Sequence, residues 1–381
     1  MTIAAAERPL QETYSGLRVL VTGHTGFKGA WLCLWLSELG ARVAGFSDIV
    51  PSQPSAFDIF ASGVVRRDFR GDIRDAASVL AAVEEWRPDL IFHLAAQPIV
   101  RLALRDPLAT FGVNVMGTAA VLEAARAVPS VRAVLVVTSD KVYQNDNTGR
   151  AFIETDPLGG HEPYGASKAA AEIVAATYRS GGFHRGAGSR NQPLVATARA
   201  GNVIGGGDWA ADRLIPDAVR ALTTGGRITI RSPRATRPWQ HVLEPVGGYL
   251  LHAHALLADP EATPAALNFG PEEAAARSVE EILRLFLKEM QPLKAELVVE
   301  EDMSGSEARM LMVSSAEARR TLGWAPAWTA SEAVARVAEW HLAHCMGTAD
   351  LAALSRSQIA DYCDASPVKA FARIGPVEAT P

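Results

Sequence analysis

Cysteine is scarce: the 381 residues include only Cys33, Cys345 and Cys363, with no C-x-x-C spacing. That pattern excludes a disulfide framework and a cysteine zinc site, no metal is expected, and a cytoplasmic home follows. Cys33 sits among Trp31, Leu32, Leu34 and Trp35, the setting of a buried packing residue. Charge of one sign is also in short supply. A net charge of −5 argues against a nucleic-acid binder. No apolar run is expected to reach the roughly 20 residues that span a bilayer, so no membrane partner is expected. Pro107–Leu122, the longest uncharged run of interest, reads as a loop running into a soluble helix. Met1–Ser15 has no apolar stretch behind a basic start and does not read as a signal peptide. Internal repeats and low-complexity tracts are missing too. What remains is ordinary globular material, 48% hydrophobic and 21% charged. At this length it can bury a core without staples and form roughly two domains.

The chain is organised around Val21-Thr22-Gly23-His24-Thr25-Gly26-Phe27-Lys28-Gly29. The apolar run Leu17–Thr22 precedes it as a strand, and Ala30–Leu39 follows with helical character, closed by Gly40. Strand, glycine-rich turn and helix together are the context of a dinucleotide fingerprint. The glycines permit the sharp turn, the approach to a pyrophosphate and the packing of helix on strand. The helix N-terminus offers N–H groups and partial positive charge to phosphate. Further strands are expected at Arg42–Phe46, Val64–Asp68, Leu90–Leu94, Ala133–Thr138 and Leu194–Arg199. Helices at Ala76–Trp86, Thr110–Val128 and Tyr164–Tyr178 alternate with them. Such alternation predicts an α/β, Rossmann-type, doubly wound parallel sheet. Ser47 and then Asp48 follow the second strand, so that strand end does not separate NAD from NADP.

Beyond Gly201 glycine, tryptophan and arginine cluster, and short strands such as Ile228–Arg231 mix with helices at Val279–Met290, Ala316–Leu322 and Ala333–Leu342. This reads as a smaller mixed lobe closing over a ligand. Expected boundaries are 16–200 for the dinucleotide domain, with returns near 240–270, and 201–365 mainly for the substrate lobe. Residues 1–15, 366–381 and the polar loop 181–191 are expected to be mobile.

Tyr164 and Lys168, four residues apart, share one helical face. A phenol is a poor base, with a reference pKa of ~10, and a neighbouring ammonium lowers it. Tyr164 is therefore a candidate base for an alcohol being oxidised. Ser139, at a strand's carboxyl end where ligands of open α/β sheets bind, would hydrogen-bond the same oxygen. Asp140 and Lys141 follow it directly and face the same cleft.

Taken together, Gly23-x-x-Gly26-x-x-Gly29, Ser139 and Tyr164-x-x-x-Lys168 resemble the extended short-chain dehydrogenase/reductase superfamily, which acts mainly on nucleotide-linked sugars. Thr22–Trp31, Ala95–Pro98, Asn114–Thr118, Thr138–Lys141, Ala200–Trp209, Arg237–Val242, Asn268–Gly270 and Leu322–Trp324 are similar to its branch of CDP-glucose 4,6-dehydratases, from about Leu17 to about Tyr362. The resemblance implies NAD as cofactor and CDP-glucose as substrate. It implies that Tyr164 and Ser139 promote oxidation at C4, with Lys168 assisting. Asp140 would protonate the departing C6 hydroxyl, and Lys141 would take the C5 proton. Gly23, His24, Gly26, Phe27, Lys28, Gly29, Asp72, Ile73, Ala95, Ala96, Gln97 and Asn114 would bind the cofactor. Asn202, Arg213, Arg237 and His241 would bind the sugar nucleotide, Arg237 through its diphosphate. A homodimer or homotetramer is expected, and a lyase role in deoxysugar supply for surface glycans such as lipopolysaccharide O-antigen. The rival enzyme is a nucleotide-sugar 4-epimerase, which shares Ser139, Tyr164 and Lys168 but has no use for Asp140 and Lys141; a dehydratase for another nucleotide hexose is a further alternative. A dinucleotide-sensing protein is the non-enzymatic alternative.

Overall fold

Apolar runs that are hydrophobic on both faces can be buried only in a sheet covered on both sides. A computed structural model, describing residues 8–145, 148–180, 192–230, 232–272, 277–299 and 311–371, has that form. Its main sheet comprises β1 (Arg18–Thr22), β2 (Arg42–Ser47), β3 (Val65–Arg70), β4 (Leu90–His93), β5 (Ala133–Val137), β6 (Leu194–Ala200) and β7 (Ala266–Phe269). The seven strands run in the order β7-β6-β5-β4-β1-β2-β3 and are all parallel. The order reverses at β1, whose Thr22 pairs with Phe46 on one side and His93 on the other. That reversal opens the crevice where open α/β sheets bind ligands.

Among the described residues, helices pack over both faces. On one side lie α1 (Phe27–Glu38), α5 (Leu243–Ala258) and α6 (Leu351–Ala365), whose core includes Trp31, Trp35, Tyr249 and Tyr362. On the other lie α2 (Ala76–Trp86), α3 (Gly117–Ala127) and α4 (Pro163–Arg179), with Val79, Val83, Val121, Leu122 and Ala175 inside. Helix α1 begins three residues before the expected Ala30, because Gly26 itself is the N-cap.

Several expectations need correction. Pro107–Leu122 is not a loop leading into a helix. Asp106 caps it by accepting from Ala109 N at 3.0 Å, Pro107 takes the first helical position, and helical structure continues to Ala127. By length and composition that helix is long enough to cross a membrane, contrary to the expectation that no stretch is. Half of its apolar window is buried inside the fold, as in a core helix.

Residues 10–15 and 366–371 do not fray. Tyr14 is buried and donates to the Leu250 carbonyl at 2.8 Å, and Phe371 packs 5.4 Å from the Trp35 ring. Apolar anchors near each end tie these segments down. Loop 181–191 lies outside the described residues. Helix α6 carries little apolar periodicity and was not expected; it is held through Tyr362 against Trp35 and Trp328.

The second lobe has its own core. Helices Leu214–Thr224, Val279–Glu289 and Ala330–Met346 bury Ile215, Leu222, Ile282, Phe286, Val334 and Val337 together. The last of these outruns its expected bounds because Thr329 and Glu332 form a capping box and Gly347 closes the other end. Arg227–Ile230 pairs in parallel with Glu296–Val299; Arg231, at the end of that expected strand, lies outside the described residues.

Candidate active site

The glycine turn joins β1 to α1 at the sheet's reversal. Gly23 adopts φ +74°, and a Cβ there would lie 2.6 Å from the backbone nitrogen of Ala95, just beyond β4. A Cβ on Gly29 would lie 2.2 Å from the Gly23 carbonyl oxygen. The turn and the residues after β4 thus touch backbone to backbone. No side chain caps α1 at Gly26, so its first N–H groups keep the polarity that suits a phosphate. Ala95, Ala96 and Gln97 are partly exposed along the facing edge.

Two expected cofactor contacts point inward instead. His24 is fully buried: Nε2 donates to Asp68 Oδ1 at 3.0 Å and Nδ1 meets the Ser47 hydroxyl at 3.0 Å. Burial lowers its pKa against the pull of Asp68. Its ring pins the turn to β2 and β3 and has no free surface for a ligand. Asn114 is also buried. Its Oδ1 accepts from Gln97 N at 2.8 Å, and its Nδ2 donates to Ser167 Oγ at 2.8 Å. It therefore ties the segment after β4 to the helix of Tyr164. Asp72 is engaged by Arg74, which holds its carboxyl below the usual range, and Ile73 is buried against Gly117.

Helix α4 starts where it must. Glu162 accepts from Tyr164 N at 2.7 Å and Gly165 N at 2.8 Å, and Pro163 occupies the first turn. This places Tyr164 near Ser139, whose side chain draws the phenol's pKa down. Burial raises the phenol to about 12; Ser139 and Arg213 oppose that rise and Asp140 adds to it. Lys168 Nζ donates to the Val137 carbonyl at 3.0 Å, while burial and then Lys28 push it down to about 8.

The turn after β5 carries the remaining candidates. Ser139 Oγ donates to Asp140 Oδ1 at 3.0 Å and accepts from Lys141 N at 3.2 Å. Asp140 is buried, and burial raises its carboxyl above the usual range despite Lys141, Ser139, Lys28 and Arg237. Lys141 is partly exposed beside it.

The second lobe delivers two arginines to this cluster. Arg213 is bonded to Asp208 at 2.9 Å and its charge acts on Tyr164, whereas that of Arg237 acts on Asp140. Asn202 is partly exposed two residues beyond β6. His241 does not join them. It is fully buried between Trp31 at 5.9 Å and Trp328 at 4.9 Å, which holds it neutral with a pKa near about 3. It has no accessible surface to offer a ligand.

Other groups were missed. Tyr249, buried in α5, accepts from Lys28 Nζ at 3.5 Å, and Gly201 lies against Asp140, where a Cβ would come within 2.8 Å of Oδ2. Tyr249 lies on a continuous apolar helix, and no spacing rule marks it. Among the described residues, no group of three or more His, Cys, Asp or Glu is placed to hold a metal ion. The cluster pairs a phenol and a serine with a buried acid whose pKa is raised and a lysine, beside a turn shaped for a diphosphate.

A family model described as GDP-mannose 4,6 dehydratase matches residues 20–337. The chain is 40% identical over 353 residues to a CDP-glucose 4,6-dehydratase of Salmonella typhimurium, covering 93% of this chain and 98% of that protein. It is 26% identical over 345 residues to a dTDP-glucose 4,6-dehydratase of Xanthomonas campestris, covering 85% and 92%. A dTDP-glucose 4,6-dehydratase from Streptomyces venezuelae, solved with NAD and TYD bound, shares the fold, with a TM-score of 0.71, 24% identity and coverage of 88% of this chain and 100% of that one.

Proposed function

The chain belongs to the GDP-mannose 4,6-dehydratase family of nucleotide-sugar enzymes, and from that premise we propose that it is a hydro-lyase converting CDP-D-glucose to CDP-4-dehydro-6-deoxy-D-glucose and water. The observation that carries the choice of dehydration is the placement of Asp140 and Lys141 directly after Ser139, within the cluster that includes Tyr164. A 4-epimerase needs the serine and the phenol but neither of those neighbours. The full-length likeness to a CDP-glucose enzyme supports the nucleotide.

The cofactor in this reading is NAD. The turn fits a dinucleotide: without a Cβ at Gly23 or Gly29 it closes tightly, backbone against backbone, and α1 begins without a side-chain cap. Gly23, Gly26, Phe27, Lys28 and Gly29 would hold its diphosphate, and Ala95–Gln97 would line the other side. When bound, NAD supplies the acceptor for the two electrons and hydrogen removed from C4 and returned at C6.

The chain's own residues handle the protons. Tyr164, with Ser139 on the same oxygen and its phenolate favoured by Arg213 and by the positive charge of bound NAD⁺, would take the proton of the C4 hydroxyl as C4 becomes a ketone. The ketone acidifies C5. Lys141 takes the C5 proton, and the freed electron pair forms the C5–C6 double bond as the C6–O bond breaks. The oxygen leaves as water with the proton held by Asp140, whose raised pKa keeps that proton available. Lys141 then returns its proton to C5. Arg237 and Arg213, forks suited to phosphate oxygens, grip the nucleotide diphosphate with Asn202. Residues 16–200, with the returns near 240–270, hold the cofactor, and 201–365 mainly hold the sugar nucleotide.

In this reading the enzyme works in the cytoplasm as a homodimer or homotetramer and supplies a deoxysugar precursor for surface glycans such as O-antigen. Leu102, Leu104, Leu108 and Met116 are exposed large apolar residues close together in sequence, as an association face requires. The test is a panel of CDP-, dTDP-, UDP- and GDP-hexoses with NAD, read by mass spectrometry. Loss of one water from CDP-glucose in preference to the others is expected. Isomerisation without mass change would establish the epimerase instead.

A further inference from the structure

One buried ion pair lies behind the reacting groups. Glu172 follows Tyr164 by two helical turns and Lys168 by one, on the same face of α4. It is 3% exposed. Its carboxylate accepts from Thr138 Oγ1 at 2.5 Å, Thr197 Oγ1 at 2.8 Å, Arg199 Nε at 2.9 Å and Arg199 Nη2 at 2.8 Å. Burial raises such a carboxyl, but the Arg199 fork and the two hydroxyls prevail and hold it below the usual range. A buried pair is weak evidence for stability, because apolar residues of similar volume often do as well.

Its connections run to both ends of one turn. Thr138 directly precedes Ser139. Arg199 Nη1 donates to Tyr143 Oη at 2.8 Å and to the Glu154 carbonyl at 3.0 Å, with the guanidinium 5.2 Å above the Tyr143 ring. Tyr143 passes the chain on to Asn268 Oδ1 at 2.7 Å and stacks on Phe152 at 5.0 Å. Ser139, Asp140 and Lys141 therefore lie between two anchors joined by a single ion pair. The turn itself is a short 3-10 segment of three residues, bonded internally through the Ser139 hydroxyl.

We propose that Glu172 and Arg199 are positioning residues that clamp Thr138 and Tyr143, and through them hold Asp140 and Lys141 against the sugar during elimination. The clamp rests on the dehydratase reading above. Tyr164 is fixed separately by the Glu162 cap, so oxidation, which draws only Ser139 from the clamped turn, depends less on the clamp than elimination, which draws Asp140 and Lys141. Two groups acting together on C5 and C6 are sensitive to misplacement, and a shift of about 1 Å costs on the order of 10²-fold.

Tyr143→Phe and Thr138→Val each cut one anchor without leaving a charge unpaired. The double variant Glu172→Met with Arg199→Met removes the pair at similar volume. The NAD-loaded full-length enzyme is mixed with CDP-glucose for a single turnover. Absorbance of the reduced nicotinamide reads oxidation, and mass spectrometry in D2O reads water loss and deuterium at C5; thermal melting is followed in parallel. The clamp predicts an unchanged melting midpoint for both single variants, oxidation within about twofold, and water loss slowed roughly 10- to 100-fold. The double variant loses water release while still reducing NAD. Equal loss of both steps, or no change in either single variant, overturns the clamp while leaving the dehydratase reading intact. A wild-type enzyme that oxidises the sugar but never releases water overturns that reading and the clamp with it.

Discussion

The two ends of the cleft are built on opposite terms. At the glycine turn, room is made by omission: a Cβ on Gly23 would lie 2.6 Å from Ala95 N, and one on Gly29 2.2 Å from the Gly23 oxygen. At the turn after β5, reactivity comes from enclosure. Asp140, Lys168, Glu172 and Arg199 are all buried, and each has its pKa displaced by that burial or by its partners. Faults at the first end should therefore appear as lost binding. Faults at the second should appear as a broken sequence of steps in an enzyme that still binds.

The sharpest separation comes from Asp140→Asn. It removes the proton donor but keeps the size, so water loss should fall by roughly 10²–10⁴ while NAD is still reduced. In the wild type, the raised carboxyl holds its proton above the usual aspartate range, so elimination fades as pH rises through its shifted value. A rapid-mix pH profile should lose that alkaline limb in the Asn variant. Retention of both rate and limb would remove Asp140 from the chemistry. At the other end, Gly29→Ala forces the turn open and should weaken NAD binding by about tenfold or more, corresponding to a steric cost of roughly 1–3 kcal/mol. Calorimetric titration with NAD gives the answer directly, and unaltered affinity would break the contrast.

Gly201→Ala crosses the two regimes, since it adds a methyl at the charged end. The new Cβ would stand 2.8 Å from Asp140 Oδ2. Water loss should slow by about tenfold, and NAD affinity should hold. The smallest effect is expected beneath the sheet. Glu244 accepts from Trp328 N at 2.9 Å and Tyr362 Oη at 2.9 Å, and burial raises it to about 7. A carboxyl with a raised folded-state pKa contributes stability that is complete below its unfolded value of about 4.3 and is lost as pH rises through about 7. The melting midpoint of the wild type should thus fall across that window relative to Glu244→Gln. Parallel curves for the two proteins would contradict this.

What could be read from the chain follows the same division. A glycine turn between strand and helix has a spacing, and so do Tyr164 and Lys168, because backbone geometry dictates both. The parallel sheet was equally visible in its doubly apolar strands. Motif membership does not say which way a side chain points. His24, Asn114 and His241 sit in the matching stretches, yet each is buried: His24 and Asn114 hold neighbouring segments together, and His241 packs among tryptophans. The Glu172–Arg199 pair was invisible for another reason: its members lie 27 positions apart on different elements and meet only once α4 is laid on the sheet. Helix α6 was missed because it is anchored by a few aromatic contacts and lacks a clear apolar stripe.

The central claim is that the two charged residues after Ser139 convert a reversible oxidation into loss of water. Lys141→Met tests it most directly, in a single turnover with CDP-glucose in D2O. The account predicts that reduced nicotinamide accumulates, no deuterium enters C5, and the hexose keeps its full mass. Water loss by this variant at the wild-type rate would contradict it.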